Sequence, residues 1–532
     1  MSPCGSEPNA YEEDSPVTGS WCAEALHQVG PGWLNQLLQT AQWAPDPGDR
    51  RFSDPAWSSD PCFRRLGQAY GIWRQLTLAA ARTPYVPARR RQQVQFLAQL
   101  LTDALAPTNF PPTNPAVLRR AAESGGMSLV RGAGNFLDDV VHRRGRPAKT
   151  LPGAYRLGKD LAATPGRVVY RNELMEVLQY EPQTAEVHKV PLLLVPAWVN
   201  KFYIFDLAPG RSITEWALRE GFTVFAISFR DPGPDQVGLG LDEYFPRVPM
   251  RALDVVQEIT GASRVHMVGA CAGGMLAAAT AAWLAAGGEA RVASLTLLMS
   301  AMDFTAAAGD AKPPTAEISL LTRVLLNREG LVESRKISLL FDLLRSTDTI
   351  WKPLVSGWFL GEKPHPFDIL EWSEDGIGVT DALFEQTLSI AVENTLAQGL
   401  LKIQDRIIDL SAATQDAFVV AGSCDHIIPW ETVYRSAQLL GGDVAFHLIP
   451  SGHVGGIISP PRPKAEYRTG QGGLLATPLD WSAGASTRHE SWWQAWSRWL
   501  APRSGPRVPS RTPGSARHRA EAPAPGHYVR SR

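Results

Sequence analysis

The stretch Val268-Gly269-Ala270-Cys271-Ala272-Gly273-Gly274 constrains this chain more than any other. The run Arg264–Val268 before it reads as a strand, and the Ala-rich run Ala272–Ala286 after it reads as a helix. A strand that passes into a helix within a few residues needs a sharp turn. Gly269 and Gly273 leave room for one, with Cys271 at its apex and its side chain projected above the strand end. The helix N-terminus aims backbone N–H groups at that side chain, which favours an anionic sulfur. Gly-x-Cys-x-Gly in this setting is the pattern of a nucleophile on a strained turn.

The surrounding sequence supplies a scaffold for such a turn. From Val168 onward short β-rich runs alternate with helical stretches: Val168–Tyr170, Leu174–Tyr180, Pro191–Val195, Thr223–Ser228, Arg264–Val268, Val292–Met299, Ala417–Ala421 and Val444–Ile449. Leu192–Val195 is apolar throughout, as expected of a parallel strand covered by helices on both faces. The alternation argues for an α/β fold.

A nucleophile needs a base, and the base an orienting acid. On a turn of this kind they follow in the order nucleophile, acid, histidine, each after a later strand. The strand Ala417–Ala421 is followed by Gly422-Ser423-Cys424-Asp425-His426, and Val444–Ile449 by Ser451-Gly452-His453. Asp425 and His453 therefore stand at strand exits in the required order. Taken singly, Asp425 reads as a turn residue and His453 as a loop histidine. Three such residues in order make the catalytic reading the stronger one. His426 adjoins Asp425 and points elsewhere on this reading, and Cys424, without flanking glycines, reads as structural. An oxyanion hole would use the N–H of Ala272 and a second donor in Pro196-Ala197-Trp198-Val199-Asn200, with Val199 and Trp198 as candidates. A thiolate exchanges readily with thioesters, so Cys in place of Ser suits a thioester acyl donor.

The 532 residues exceed what one core supports. Residues 1–20 read as a disordered acidic tail, 21–165 as a helical N-terminal domain, 166–500 as the catalytic domain and 501–532 as a disordered basic tail. Within the catalytic domain the strand rhythm fails at about 301–416. That stretch is mainly helical, rich in Trp and Phe, and placed where a lid would sit. The net charge of −1 gives no sign of nucleic acid or an anionic surface as partner. Five cysteines without a Cys-x-x-Cys pair signal neither a zinc site nor disulfides, and no metal or cofactor is expected. The acidic start lacks the features of a signal peptide, and no apolar run reaches the ~18 residues of a membrane span, so a cytoplasmic protein is expected.

At these residues the chain resembles the polyhydroxyalkanoate synthases, a family with the α/β-hydrolase fold. The likeness extends through Pro191–Leu207, Gly221–Pro232, Asp425-His-Ile-Ile-Pro-Trp430, Gly452-His453, Pro460-Pro461 and Ser491-Trp492-Trp493 with Trp496. Upstream it includes Asp103–Asn109, Asn114-Pro115 and Gly125–Leu129. The resemblance implies an acyltransferase that polymerises 3-hydroxyacyl-CoA with release of CoA. Cys271 would carry the acyl group as a thioester, His453 would act as general base, and Asp425 would assist. It also implies a single-subunit enzyme nearer the medium-chain type, a homodimer at the surface of polyester granules in the cytoplasm. The chain departs from the family at Phe229 and Asp231, and at Ser373, Glu374 and Gly376 in the insertion, which leaves the chain length of the substrate open. The competing readings are a thioesterase or polyester hydrolase on the same three residues, and a non-catalytic granule-surface protein.

Overall fold

A computed structural model of the chain describes residues 49–82, 88–305, 313–325, 330–470 and 473–531. The acidic segment 1–20 lies outside the described residues. The chain divides into two compact units, residues up to 133 with 358–361, and 134–357 with 362–532.

The described part of the first unit is helical. Asp60 caps the helix Pro61–Ala80 by accepting from Cys62 N and Phe63 N at 2.8 and 3.2 Å. Tyr70 on that helix donates to Thr102 O on the helix Ala88–Ala104 at 2.9 Å. Phe52, Trp57, Tyr70 and Ala106 form a small core. The Asn109 and Asn114 side chains donate to Asp103 O and Thr108 O, both at 2.7 Å. Asn114 also caps the helix Pro115–Glu123. These residues of the Asp103–Pro115 stretch thus brace the two short turns, Pro107–Asn109 and Pro111–Thr113, between the helices Ala88–Ala104 and Pro115–Glu123.

The second unit is built on a ten-stranded sheet. Its strands are β1 Gly166–Arg171, β2 Met175–Tyr180, β3 Leu192–Val195, β4 Val224–Phe229, β5 Val265–Ala270, β6 Val292–Leu298, β7 Ala417–Gly422, β8 Val444–Ile449, β9 Tyr467–Thr469 and β10 Ser486–Arg488. Their spatial order is β1-β2-β4-β3-β5-β6-β7-β8-β9-β10. The six strands from β4 through β8 in that order are parallel, and both flanks are antiparallel. Every residue of β3, β4, β5 and β7 is buried, as continuous apolar runs between two helical layers require. Between β6 and β7 the chain forms mainly helices, among them Thr315–Leu325, Ser334–Leu344, Asp368–Glu374 and Asp381–Glu393.

Sequence and structure part at the C-terminus. Residues 501–532 read as a disordered basic tail, yet 501–531 are bound to the sheet as a strap. Ser504 Oγ meets His266 Nε2 on β5 at 3.0 Å, and Arg507–Pro509 pairs antiparallel with Glu186–His188. Further on, Val168 N donates to Ala522 O at 2.9 Å and Ala524 N to Gly166 O at 2.8 Å, which covers the outer edge of β1. Glu176, fully buried in β2, pairs with Arg171 at 2.7 Å and accepts from His527 N and Tyr528 N at 2.9 and 3.1 Å. Val529 is 1% exposed. Low apolar content predicts disorder when burial of side chains is the only available stabilisation. This segment is held by backbone pairing with an open sheet edge and by a buried carboxylate, and neither depends on its own hydrophobicity.

Candidate active site

The parallel strands deliver three side chains to one end of the sheet. Registers align Ala270 of β5 with Leu298 of β6, Leu298 with Val420 of β7, and Gly422 of β7 with Ile449 of β8. Cys271, Asp425 and His453 follow β5, β7 and β8 within one to four residues. All three emerge at the carboxyl end of the sheet, where open α/β folds bind their ligands.

Cys271 occupies a backbone conformation that side chains rarely adopt, φ 54° and ψ −125°. The helix Ala272–Ala286 starts immediately after it. The glycines around it are sterically required. A Cβ on Gly269 would lie 2.4 Å from Gly274 Cα, one on Gly273 would lie 2.1 Å from Val195 O, and one on Gly274 would lie 1.9 Å from Ser300 Oγ. Strain of order 1–3 kcal/mol at Cys271 is thus maintained by close packing on both sides of the turn. Ala272 opens the helix, where the first N–H groups have no intrahelical acceptor.

His453 Nδ1 lies 2.6 Å from Asp425 Oδ2. The other carboxylate oxygen, Oδ1, accepts from Ile427 N and Ile428 N, each at 2.9 Å, so the carboxylate is fixed by its own loop. Burial works against a charged His453 imidazole. The Asp425 carboxylate, to which the ring is hydrogen-bonded, and the neighbouring Cys271 sulfur outweigh it and push the ring up to about 10. His453 opens the short helix His453–Ile457, which is clamped from behind. Trp492 Nε1 donates to Gly456 O at 2.9 Å and Trp493 Nε1 to Ile457 O at 3.1 Å. The tryptophan-rich segment noted in the sequence therefore supports the histidine from the helix Trp492–Leu500.

The loop that carries the expected second oxyanion donor runs beside the helix that Ala272 opens. The contact between Gly273 and the Val195–Pro196 backbone sets the first turn of the Ala272 helix against the loop that follows β3. Trp198 is buried at 4% exposure, and Val199 O accepts from Ile377 N at 3.2 Å. His426 and Cys424 are both exposed, the latter 3.8 Å from Ser423 Oγ. Among the described residues no group of three or more His, Cys, Asp and Glu could hold a metal ion. No helix among them is long and apolar enough to cross a membrane.

Sequence reasoning passed over Lys201, Tyr203 and Asp375. Lys201 Nζ is 2.7 Å from Asp375 Oδ1, and Tyr203 OH donates to Asp375 Oδ2 at 2.8 Å. Glu374, one of the departures from the family pattern, pairs with Lys149 at 2.5 Å. One signal for Lys201 was present: a single basic residue at the head of the otherwise apolar run Lys201-Phe-Tyr-Ile-Phe.

Two family models match the chain. That of the poly-beta-hydroxybutyrate polymerase N-terminus covers residues 48–217, and that of the alpha/beta hydrolase fold covers residues 190–460. The chain is 37% identical to poly(3-hydroxyalkanoate) polymerase 1 of Ectopseudomonas oleovorans, across 96% of this chain and 91% of that protein. It is 39% identical to poly(3-hydroxyalkanoate) polymerase 2 of the same organism, across 93% and 89%. It is 34% identical to poly(3-hydroxyalkanoate) polymerase subunit PhaC of Cupriavidus necator, across 91% and 83%.

Proposed function

The chain belongs to the poly(3-hydroxyalkanoate) polymerase family, and we propose that it polymerises 3-hydroxyacyl-CoA on Cys271, with His453 as base and Asp425 as its orienting acid. The observation that carries this reading is the 2.6 Å His453–Asp425 contact at the same end of the sheet as Cys271 on its strained turn. The Cys271 sulfur attacks the carbonyl of the acyl-CoA, the C–S bond to CoA breaks, and CoA leaves after taking a proton. Backbone donors at Ala272 and Val199 stabilise the oxygen that becomes anionic.

The same electrostatics account for the second half of the cycle. While the sulfur is anionic it helps to hold His453 protonated. Acylation removes that charge, and the imidazolium has given up its proton to the leaving thiolate. His453 is then a neutral base, oriented by Asp425, for the hydroxyl of a second acyl unit. That hydroxyl attacks the thioester, and the ester bond forms as the C–S bond breaks. The proposal includes a homodimer at the surface of the polyester granule, as the family resemblance implies.

The test is incubation of the purified protein with 3-hydroxybutyryl-CoA and, separately, 3-hydroxydecanoyl-CoA. Free CoA thiol and solvent-extractable polyester are both measured. Release of CoA in step with polymer is the expected result, and the faster substrate identifies the chain-length class. Release of CoA with only free hydroxy acid would make the protein a thioesterase. Replacing the exposed Cys424 by Ser should leave the rate of CoA release within about two-fold, the ordinary consequence of a surface change away from the reacting atoms.

A further inference from the structure

The loop after β3 and the segment 372–378 of the insertion are joined through one buried charge. Lys201 is 4% exposed, and a buried ammonium requires compensating oxygens. It has three: Asp375 Oδ1 at 2.7 Å, Val529 O at 2.7 Å and Ser531 O at 3.2 Å. The first belongs to the insertion and the other two to the C-terminal strap. The backbone around Lys201 is bonded to the same insertion segment. Trp372 Nε1 donates to Lys201 O at 2.8 Å, Asn200 bridges Gly376, and Ile377 N donates to Val199 O. Val199, a candidate for the second oxyanion donor, lies two residues before Lys201 on the loop that abuts the start of the Cys271 helix.

We propose that Lys201 is a positioning residue for acyl transfer. Its ammonium, held between Asp375 and the carbonyls of the strap, fixes the loop 196–201 so that its backbone donor meets the acyl oxygen. The strap is then part of the catalytic machinery through this one charge. The inference rests on Cys271 as the acyl acceptor and deepens that reading. A donor that meets only the developing oxyanion affects kcat and leaves ground-state binding largely untouched.

The experiment compares Lys201→Met, Lys201→Arg, a chain ending at Tyr528 and the combination of Lys201→Met with that truncation. Ending at Tyr528 removes both strap carbonyls and leaves the Tyr528 and His527 contacts to β2 in place. Two acyl donors are used, 3-hydroxybutyryl-CoA and p-nitrophenyl acetate, with iodoacetamide alkylation of Cys271 as a control that needs no oxyanion donor. Lys201→Met should lower kcat about 10- to 100-fold on both donors, less than the roughly 10²–10³ of deleting an oxyanion donor outright because the donor is displaced and not removed, with KM and alkylation rate within about two-fold. Lys201→Arg should recover part of kcat. The truncation should reproduce the kcat loss, and the combination should be no worse than the more damaging of the two alone. If Lys201→Met does not fold, the truncated chain carries the same test. Unchanged kcat, a KM effect alone, a parallel loss of alkylation, or losses that multiply in the combination would each overturn the proposal. A wild-type chain that acylates Cys271 from the p-nitrophenyl ester but releases no CoA would count against the polymerase reading, and the ester readout would still decide the role of Lys201.

Discussion

Cys271→Ala should remove CoA release and polymer formation together, by at least about 10⁴-fold, with the circular dichroism spectrum and melting temperature within a few degrees of the parent. The size follows from the loss of the only atom to which the acyl group is bonded, since deleting a nucleophile costs about as much as deleting the whole constellation. The unchanged fold follows from the backbone. Alanine keeps a Cβ at φ 54°, so the strain of the turn is neither relieved nor increased. Incubation with radiolabelled 3-hydroxybutyryl-CoA, followed by denaturing gel electrophoresis, would show an acylated band in the parent and none in the variant. A labelled band in Cys271→Ala would place the acyl group on another residue and remove the mechanism.

The second large effect is that of Asp425→Asn, with kcat/KM lower by about 10³–10⁴ at neutral pH, as when a histidine loses the carboxylate that fixes its tautomer. Asn can still accept from Ile427 N and Ile428 N through its carbonyl oxygen, so the loop is retained while the charge is lost. The pH dependence carries a sign. Burial alone would depress His453, and the Asp425 carboxylate is the foremost group that raises it. Without that charge the imidazolium gives up its proton at a lower pH. The His453 imidazole, followed by its ring-proton resonance in NMR, should therefore titrate at a lower pH in the variant than in the parent. A titration that does not move would mean that Asp425 has no electrostatic hold on the imidazole.

The parts that could be read from sequence share a local signature. The central strands are apolar runs because both faces are covered, and the turn at Cys271 is announced by glycines that the packing in fact requires. Asp425 and His453 could be placed because each lies a few residues beyond such a strand. What could not be read is non-local. Tyr467–Thr469 and Ser486–Arg488 are short polar flank strands without a periodic pattern. Lys201 and Asp375 stand 174 residues apart, and no local rule couples them. The strap escapes a compositional reading because composition reports what a segment can bury and is silent on which sheet edge lies open to receive it.

That strap also bears on the biosynthesis of the protein. Glu176 waits for the amides of His527 and Tyr528, 351 and 352 residues later in the chain. At translation rates of about 5–20 residues per second, that separation corresponds to roughly 20–70 seconds. Throughout that interval the ribosome-bound chain presents the outer edge of Gly166–Arg171 uncovered, a template for pairing with a neighbouring nascent chain. The same delay postpones the last bonds to Lys201 until synthesis has reached Ser531, so a nascent chain carries its nucleophile well before the loop beside it is locked.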